Sequence, residues 1–229
     1  MQKLTTFWRN NRGFIVFFSL MLMFRSAVAD WYEVPSGSMQ PTIQIGDRIL
    51  VDKMAYDLRL PFSAVSLKKQ ADPRQGDIVV FVSKVADNRL VKRVIGVPGD
   101  VVAMQNNVLT INGKQISYID SDSVYEAADT AVLVEQLSQI SHQVKLAAQS
   151  GVQDSFASVK VPTGHYLVLG DNRANSWDGR FWPGTHFLPD DQIIGRALFR
   201  FWPVASAGSL VSPDPTTQAP ATPSPAPAP

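Results

Sequence analysis

Ser38 and Lys92 are the residues through which this chain could do covalent chemistry. Ser38 lies in Pro35-Ser36-Gly37-Ser38-Met39-Gln40-Pro41-Thr42, where Gly37 permits a sharp bend that exposes the next side chain. Ser36 brings a second hydroxyl that could join the Ser38 amide in holding an oxyanion. Lys92 lies in Leu90-Val91-Lys92-Arg93-Val94-Ile95-Gly96. Two-residue alternation places it on a face with Leu90 and Val94 and turns Arg93 the other way. Burial among apolar neighbours disfavours an ammonium and lowers a lysine pKa. A neutral amine in reach of a serine hydroxyl is a competent general base. Taken singly, both have ordinary counterparts, since turn serines are common and lysines are seldom buried.

A third block, Gly170-Asp171-Asn172-Arg173-Ala174-Asn175-Ser176-Trp177-Asp178-Gly179-Arg180, is dense in side chains that pair charges or hydrogen-bond in loops. It reads either as a solvated loop closed by Asp–Arg pairs or as a rigid support that orients a catalytic group. Composition narrows the chemistry further. The chain has no cysteine, which excludes thiol nucleophiles, thiolate zinc sites and disulfides. Its histidines, His142, His165 and His186, are scattered without ligand-like spacing, so no metal is expected and each reads as a surface or structural residue. None is near Ser38 or Lys92 in sequence, so a serine hydrolase built on this chain would use a base other than histidine. A net charge of +1 over 229 residues argues against an extended nucleic-acid footprint.

The elements that must position these groups read mostly as strands. Runs rich in Val, Ile and Phe cover Arg48 to Asp52, Asp77 to Ser83, Leu90 to Val97, Val108 to Ile111, Tyr166 to Leu169 and Ile193 to Phe201. Asn112-Gly113 marks a two-residue hairpin. Tyr125 to Leu137 has apolar residues near helical spacing and reads as one short helix. At the N-terminus, Lys3, Arg9 and Arg12 precede an apolar stretch from Phe14 to Phe24, and Ala27-Val28-Ala29 follows. That pattern suits either a cleaved secretory signal or a retained membrane anchor with Trp31 and Tyr32 at the interface. From Ala205 onward the chain turns to Ala, Ser, Thr and Pro, a composition expected to stay disordered or extended.

Together the three blocks resemble the type I signal peptidases, or leader peptidases. Pro35-Ser36-Gly37-Ser38-Met39-x-Pro41-Thr42 is similar to that family's nucleophile box. Lys92-Arg93-x-x-Gly96-x-Pro98-Gly99-Asp100 is similar to its base box. Gly170-Asp171-Asn172-Arg173-x-Asn175-Ser176-x-Asp178-x-Arg180 is similar to its closing box, although Ala174 and Gly179 stand where many members carry Asp and Ser. The resemblance runs from about Phe14 to Pro203. It implies Ser38 as nucleophile, Lys92 as its base, and Ser36 with the Ser38 amide as the oxyanion hole. Ser176 would orient Lys92, while Arg93, Asp171, Arg173, Asp178 and Arg180 would brace the site. Pro35, Met39, Ile43 and Val91 would line the pocket for the residue before the scissile bond, and Tyr32, Val34 and Ile49 the pocket two residues further back.

The resemblance also implies an architecture and a function. The fold class is mainly β, a signal-peptidase-like antiparallel sheet or barrel with one N-terminal transmembrane helix and at most one or two short helices. The domains run as a cytoplasmic segment 1–12, a transmembrane anchor 13–32, a catalytic ectodomain 33–204 with a β insertion at about 105–165, and a Pro/Ala-rich tail 205–229. The implied activity is removal of signal peptides from exported preproteins after small residues, of the Ala-x-Ala type. The alternatives are a dedicated processing peptidase of a secretion or conjugation system, or a non-catalytic tethered peptide-binding β module. No metal and no cofactor is expected. The expected partners are signal peptides, the lipid bilayer and secretion machinery, with no nucleic acid. The expected place is the bacterial inner membrane, single-pass, with a cytoplasmic N-terminus and the catalytic domain on the exoplasmic face.

Overall fold

A computed structural model of the protein describes residues 2–211 except 64, 85, 121–129, 139 and 148–153. One helix, α1 (Gln2–Ala27), leads directly into strand β1 (Ala29–Glu33). Along the chain follow β2 (Arg48–Asp52), β3 (Asp57–Arg59), β4 (Ser66–Lys69), β5 (Ile78–Ser83) and β6 (Asn88–Gly96). Next come β7 (Val101–Gln105), β8 (Val108–Ile111), β9 (Lys114–Gln115), β10 (Ser117–Asp120), β11 (Thr130–Gln136), β12 (Ser141–Ala147) and β13 (Phe156–Lys160). The last are β14 (His165–Leu169), β15 (Leu188–Pro189), β16 (Ile193–Trp202) and β17 (Gly208–Ser209). The expected strands are all present to within a residue or two. Asn112 and Gly113 both take positive φ between β8 and β9, the conformation a tight two-residue hairpin demands.

The main sheet runs β1-β2-β16-β5-β6-β14-β15, with β17 beside β16. The chain between β6 and β14 builds a unit of two further sheets, β13-β7-β8-β9 and β10-β11-β12. Its presence explains why β6 does not alternate cleanly between buried and exposed. From Lys92 to Gly96 every residue is buried, because both faces of that strand are covered. Ile95 packs with Val102, Leu109 and Leu167 on the insertion side. Val94 packs with Tyr56, Phe81, Tyr166 and Trp182. A third cluster, Val34, Met39, Ile43, Ile49, Val51, Ile78, Val80 and Ala197, lies beneath the Ser38 turn.

Three expectations need correction. The helix expected at Tyr125 to Leu137 is absent from its described part. Thr130–Gln136 is β11, paired with β10 on one side and β12 on the other, and 125–129 lies outside the described residues. Thr130, Val132 and Val134 are β-branched, and two flanking strands satisfy their backbone where a lone helical turn would not. The anchor expected at 13–32 is not one helix, since α1 stops at Ala27 and Ala29–Glu33 pairs with β2. No helix among the described residues is long and apolar enough to cross a membrane. Finally, the ordered ectodomain continues past 204. Gly208–Ser209 pairs with β16 and Leu210 packs on the third cluster, while the Pro-rich tail from 212 lies outside the described residues.

The joint between α1 and β1 is braced. Arg25 Nε donates to Asp30 Oδ1 at 2.7 Å, and the Arg25 guanidinium sits 4.2 Å from the centre of the Trp31 ring. The Lys53 amide donates to Val28 O at 2.9 Å, and the Phe62 amide to Ser26 Oγ at 2.7 Å. Beyond this joint α1 stands clear of the sheets, with Phe14, Val16, Phe17, Leu20 and Phe24 exposed.

Candidate active site

Ser38 sits in a short 3-10 turn, Gly37–Met39, immediately after β1. The turn is held from below by its own apolar members. Met39 and Ile43 are fully buried, and the Ile43 amide donates back to Met39 O at 2.9 Å. With these two side chains sunk in the core, Ser38 between Gly37 and Met39 is left half-exposed at the surface. Lys92 approaches from β6, paired with Val79 of β5. Its Nζ lies 2.6 Å from Ser38 Oγ, and the residue is 2 % exposed. Burial pushes its pKa down from 10.5 to about 8, although Asp178 and Asp171 pull the other way. Ser36 Oγ lies 3.4 Å from Ser38 Oγ. The sequence-expected nucleophile, base and second hydroxyl therefore meet.

The closing block stitches the two elements together. Arg93 Nε and Nη2 donate to the two oxygens of Asp171 at 2.8 and 2.6 Å, a buried bidentate pair. Thr42 Oγ1, from the serine turn, donates to the same carboxylate at 2.6 Å. Burial opposes the Asp171 charge, but Arg93 outweighs it and holds the carboxyl below its ordinary range. The Asn172 amide donates to Ser38 O at 3.1 Å and its Nδ2 to Gly37 O at 3.0 Å. Asn172 thus clamps the serine turn directly, a role that its place in a polar loop did not signal. Asp178 takes Arg180 Nε at 2.8 Å and the Gly170 amide at 2.9 Å, and Arg180 Nη2 reaches Arg173 O at 3.1 Å. Burial works against the Asp178 charge too, and Arg180 keeps it ionised.

Ser176 is placed differently from the role the resemblance implies. Its Oγ is buried beside Gly170, with no hydrogen bond of good geometry to Lys92 or any other group. It lies near enough to Asp178 to favour that carboxylate. A side-chain carbon at position 170 would collide with Ser38 O and Ser176 Oγ, so glycine is required for the loop to close on the turn.

Of the expected pocket residues, Val34, Met39, Ile43 and Ile49 are buried in one cluster under the turn, with Tyr32 and Val91 at its margin. Pro35 is exposed and is not part of that cluster. The sequence marks the histidines only as surface or structural residues. His165 and His186 contact backbone carbonyls, Thr163 O and Gly179 O. His142 instead lies buried with Nε2 3.3 Å from Glu135 and 3.6 Å from Asp171. Glu135 pairs with Arg173 Nη2 at 2.7 Å. Neither Glu135 nor His142 was a candidate from sequence, because their partners lie on another element and no local motif announces them. Among the described residues no group of three or more His, Asp or Glu is placed to hold a metal ion.

Comparison with known proteins identifies the family. The family model "Signal peptidase, peptidase S26" matches residues 8–202. Signal peptidase I of Pseudomonas fluorescens is 33% identical over 204 residues, covering 84% of this chain and 72% of that protein. Probable signal peptidase I-2 of Synechocystis is 35% identical, covering 83% and 71%. Signal peptidase I of Bacillus amyloliquefaciens is 32% identical, covering 88% and 89%. With its serine turn, buried lysine and closing loop all inside the matched region, the chain belongs to the signal peptidase family, peptidase S26.

Proposed function

We propose that this protein is a serine endopeptidase that removes signal peptides from exported preproteins, with Ser38 as nucleophile and Lys92 as general base. The observation that carries the reading is the 2.6 Å approach of Lys92 Nζ to Ser38 Oγ by a lysine that is 2 % exposed. Neutral Lys92 takes the Ser38 proton as Oγ attacks the carbonyl carbon. Ser36 Oγ and the Ser38 amide donate to the oxyanion. The Lys92 ammonium then protonates the leaving amine, which releases the mature chain and leaves an ester on Ser38. Water, deprotonated by the same amine, hydrolyses that ester.

The substrate preference follows from packing. The side chains nearest the turn, Met39, Ile43, Val34 and Ile49, are already 0–3% exposed, so an incoming side chain beside them must be small. Ala at the residue before the cut, and a small residue two before it, suit so closely packed a floor. The cleavage segment lies extended along the free edge of β1, the outermost strand of the main sheet. The exposed apolar side chains of α1 from Phe14 to Phe24 hold the protein at the membrane in which signal helices reside.

The test is cleavage of several unrelated preproteins by the full chain in detergent. Ser38→Ala and Lys92→Ala abolish cleavage while circular dichroism and thermal melting stay near wild type. Near-normal turnover by Lys92→Ala would refute the reading.

A further inference from the structure

The closing loop is held on two sides. Toward the serine turn and β6, Asp171 engages Arg93 and Thr42, and Asn172 engages Ser38 O. On the opposite side it meets the inserted β10-β11-β12 sheet. There the Lys145 amide of β12 donates to Asp171 O at 2.8 Å, and Lys145 forms a parallel bridge with Asn172. Arg173 points into this sheet, where its Nη2 meets Glu135 at 2.7 Å with both side chains fully buried. Its Nε also reaches Gly170 O at 3.1 Å, so Arg173 links Glu135 to the glycine that abuts Ser38. Glu135 is itself fixed by Tyr118 Oη at 2.6 Å. His142 fills the gap between the two carboxylates, its ring 6% exposed.

We infer that the β10-β11-β12 sheet is a clamp, in which Glu135 and His142 are positioning residues for Ser38 and Lys92, acting through Arg173 and Asp171. The inference rests on the Ser38–Lys92 reading of the site. The charge arrangement gives the clamp its sensitivity. Two carboxylates, Glu135 and Asp171, balance two guanidiniums, Arg93 and Arg173, and burial keeps His142 neutral. Without the Glu135 charge, Arg173 is a buried cation whose nearest remaining carboxylate is Asp171. It then competes with Arg93 for that group and loosens the bond that ties β6 to the closing loop. The groups facing Lys92 are the Ser38 hydroxyl from the turn and Asp171, Asp178 and Arg180 from the loop. Loosening the loop admits water to that enclosure and removes part of the desolvation that lowers the Lys92 pKa.

The experiment compares full-length wild type, Glu135→Gln, and the double variant Glu135→Leu/Arg173→Met, which removes both charges and leaves no orphan ion. Each is assayed for kcat, KM and the pH dependence of preprotein cleavage, with thermal melts in parallel. For Glu135→Gln we expect kcat to fall about tenfold to a hundredfold, the scale of a sub-ångström to 1 Å misplacement. KM should change little, because Met39 and Ile43 are untouched. The acid limb of the profile should move about one unit toward alkaline pH as Lys92 regains water. A purely structural role lowers the melting temperature and leaves the profile of the folded fraction unchanged. If Glu135→Gln does not fold, the double variant decides by kcat. It also removes the Arg173 Nε bond to Gly170 O, so kcat should fall with the profile unchanged, since no freed guanidinium competes for Asp171. Wild-type kcat and profile in the folded variant overturn the clamp. Lys92→Ala run alongside separates the two ideas. If it still cleaves, the dyad reading is at fault; if it is dead while Glu135→Gln is normal, only the clamp is.

Discussion

Replacing Lys92 by Met is expected to abolish cleavage and to make the protein more stable at neutral pH. Burial lowers the Lys92 pKa from 10.5 to about 8, so at pH 7 the folded protein holds an ammonium ion in a place that disfavours it. Each pKa unit corresponds to about 1.4 kcal/mol, so that shift costs the fold about 3 kcal/mol below pH 8. Methionine has similar length and no charge to bury. Against this, the variant loses the bond to Ser38, but Ser38 is half-exposed and water can replace the amine, which leaves a net gain of about 2 kcal/mol. The pH dependence supplies the decisive sign. Between pH 8 and 10.5 the unfolded chain holds the Lys92 proton and the folded one has released it, so wild-type stability rises through that window relative to the variant. The advantage of Lys92→Met is therefore full below pH 8 and gone near 10.5. Tyr56, Tyr118 and Tyr166, all raised by burial, destabilise both proteins alike above pH 10, so the difference between them is the quantity to follow. Urea unfolding of both proteins in detergent at pH 7, 8.5 and 10 measures it. A variant less stable than wild type at pH 7, or a difference that does not vary with pH, would show that Lys92 is not carrying a desolvation cost.

Two further outcomes follow from other parts of the site. His142 is buried, and burial holds its pKa at about 4. The unfolded chain therefore binds its proton first, and stability should fall by about 3 kcal/mol from pH 6.5 to 4; His142→Asn should flatten that slope in acid unfolding curves. Gly170→Ala forces a carbon against Ser38 O and Ser176 Oγ. Because a displacement of about 1 Å costs on the order of a hundredfold, a cleavage assay should show at least tenfold loss, with the melting temperature lowered as the crowded turn is forced apart.

The parts of this site written in contiguous residues were legible without coordinates. Ser38, Lys92 and the Asp171–Arg180 loop each carry their signal locally, as a glycine-bent turn, a polar residue in an apolar strand and a dense polar loop. That Arg93 and Asp171 both brace the site follows only from resemblance, and their pairing with each other has no local mark, since the two charges lie 78 positions apart. Glu135 and His142 were missed for a related reason. From sequence, Glu135 reads as a polar residue of a helical stretch and His142 as a surface or structural histidine, until the inserted sheet folds over the closing loop. The same stretch was misread as helix because its apolar spacing is compatible with both periods, and pairing on both edges of β11 decided the matter. Ser176 shows the converse limit, because its motif position is plain but its hydroxyl makes no hydrogen bond to Lys92.

The braced joint between α1 and β1 sets a height. Arg25 is locked to Asp30 and stacked on Trp31, and the strand that begins there is paired along its length with β2. From Val28 to Ser38 is eleven residues, so whatever surface holds α1 holds the serine within roughly 40 Å of it. A flexible linker of the same length would let that distance fluctuate, whereas Ala29–Glu33 is a paired strand of one length and Val34 beyond it is tied to Asp47 O. Adding one residue to β1 would turn its side chains over, and adding two would lift Ser38 by roughly 7 Å without turning them. The strand is a ruler, and the place where a substrate is cut is measured from its foot.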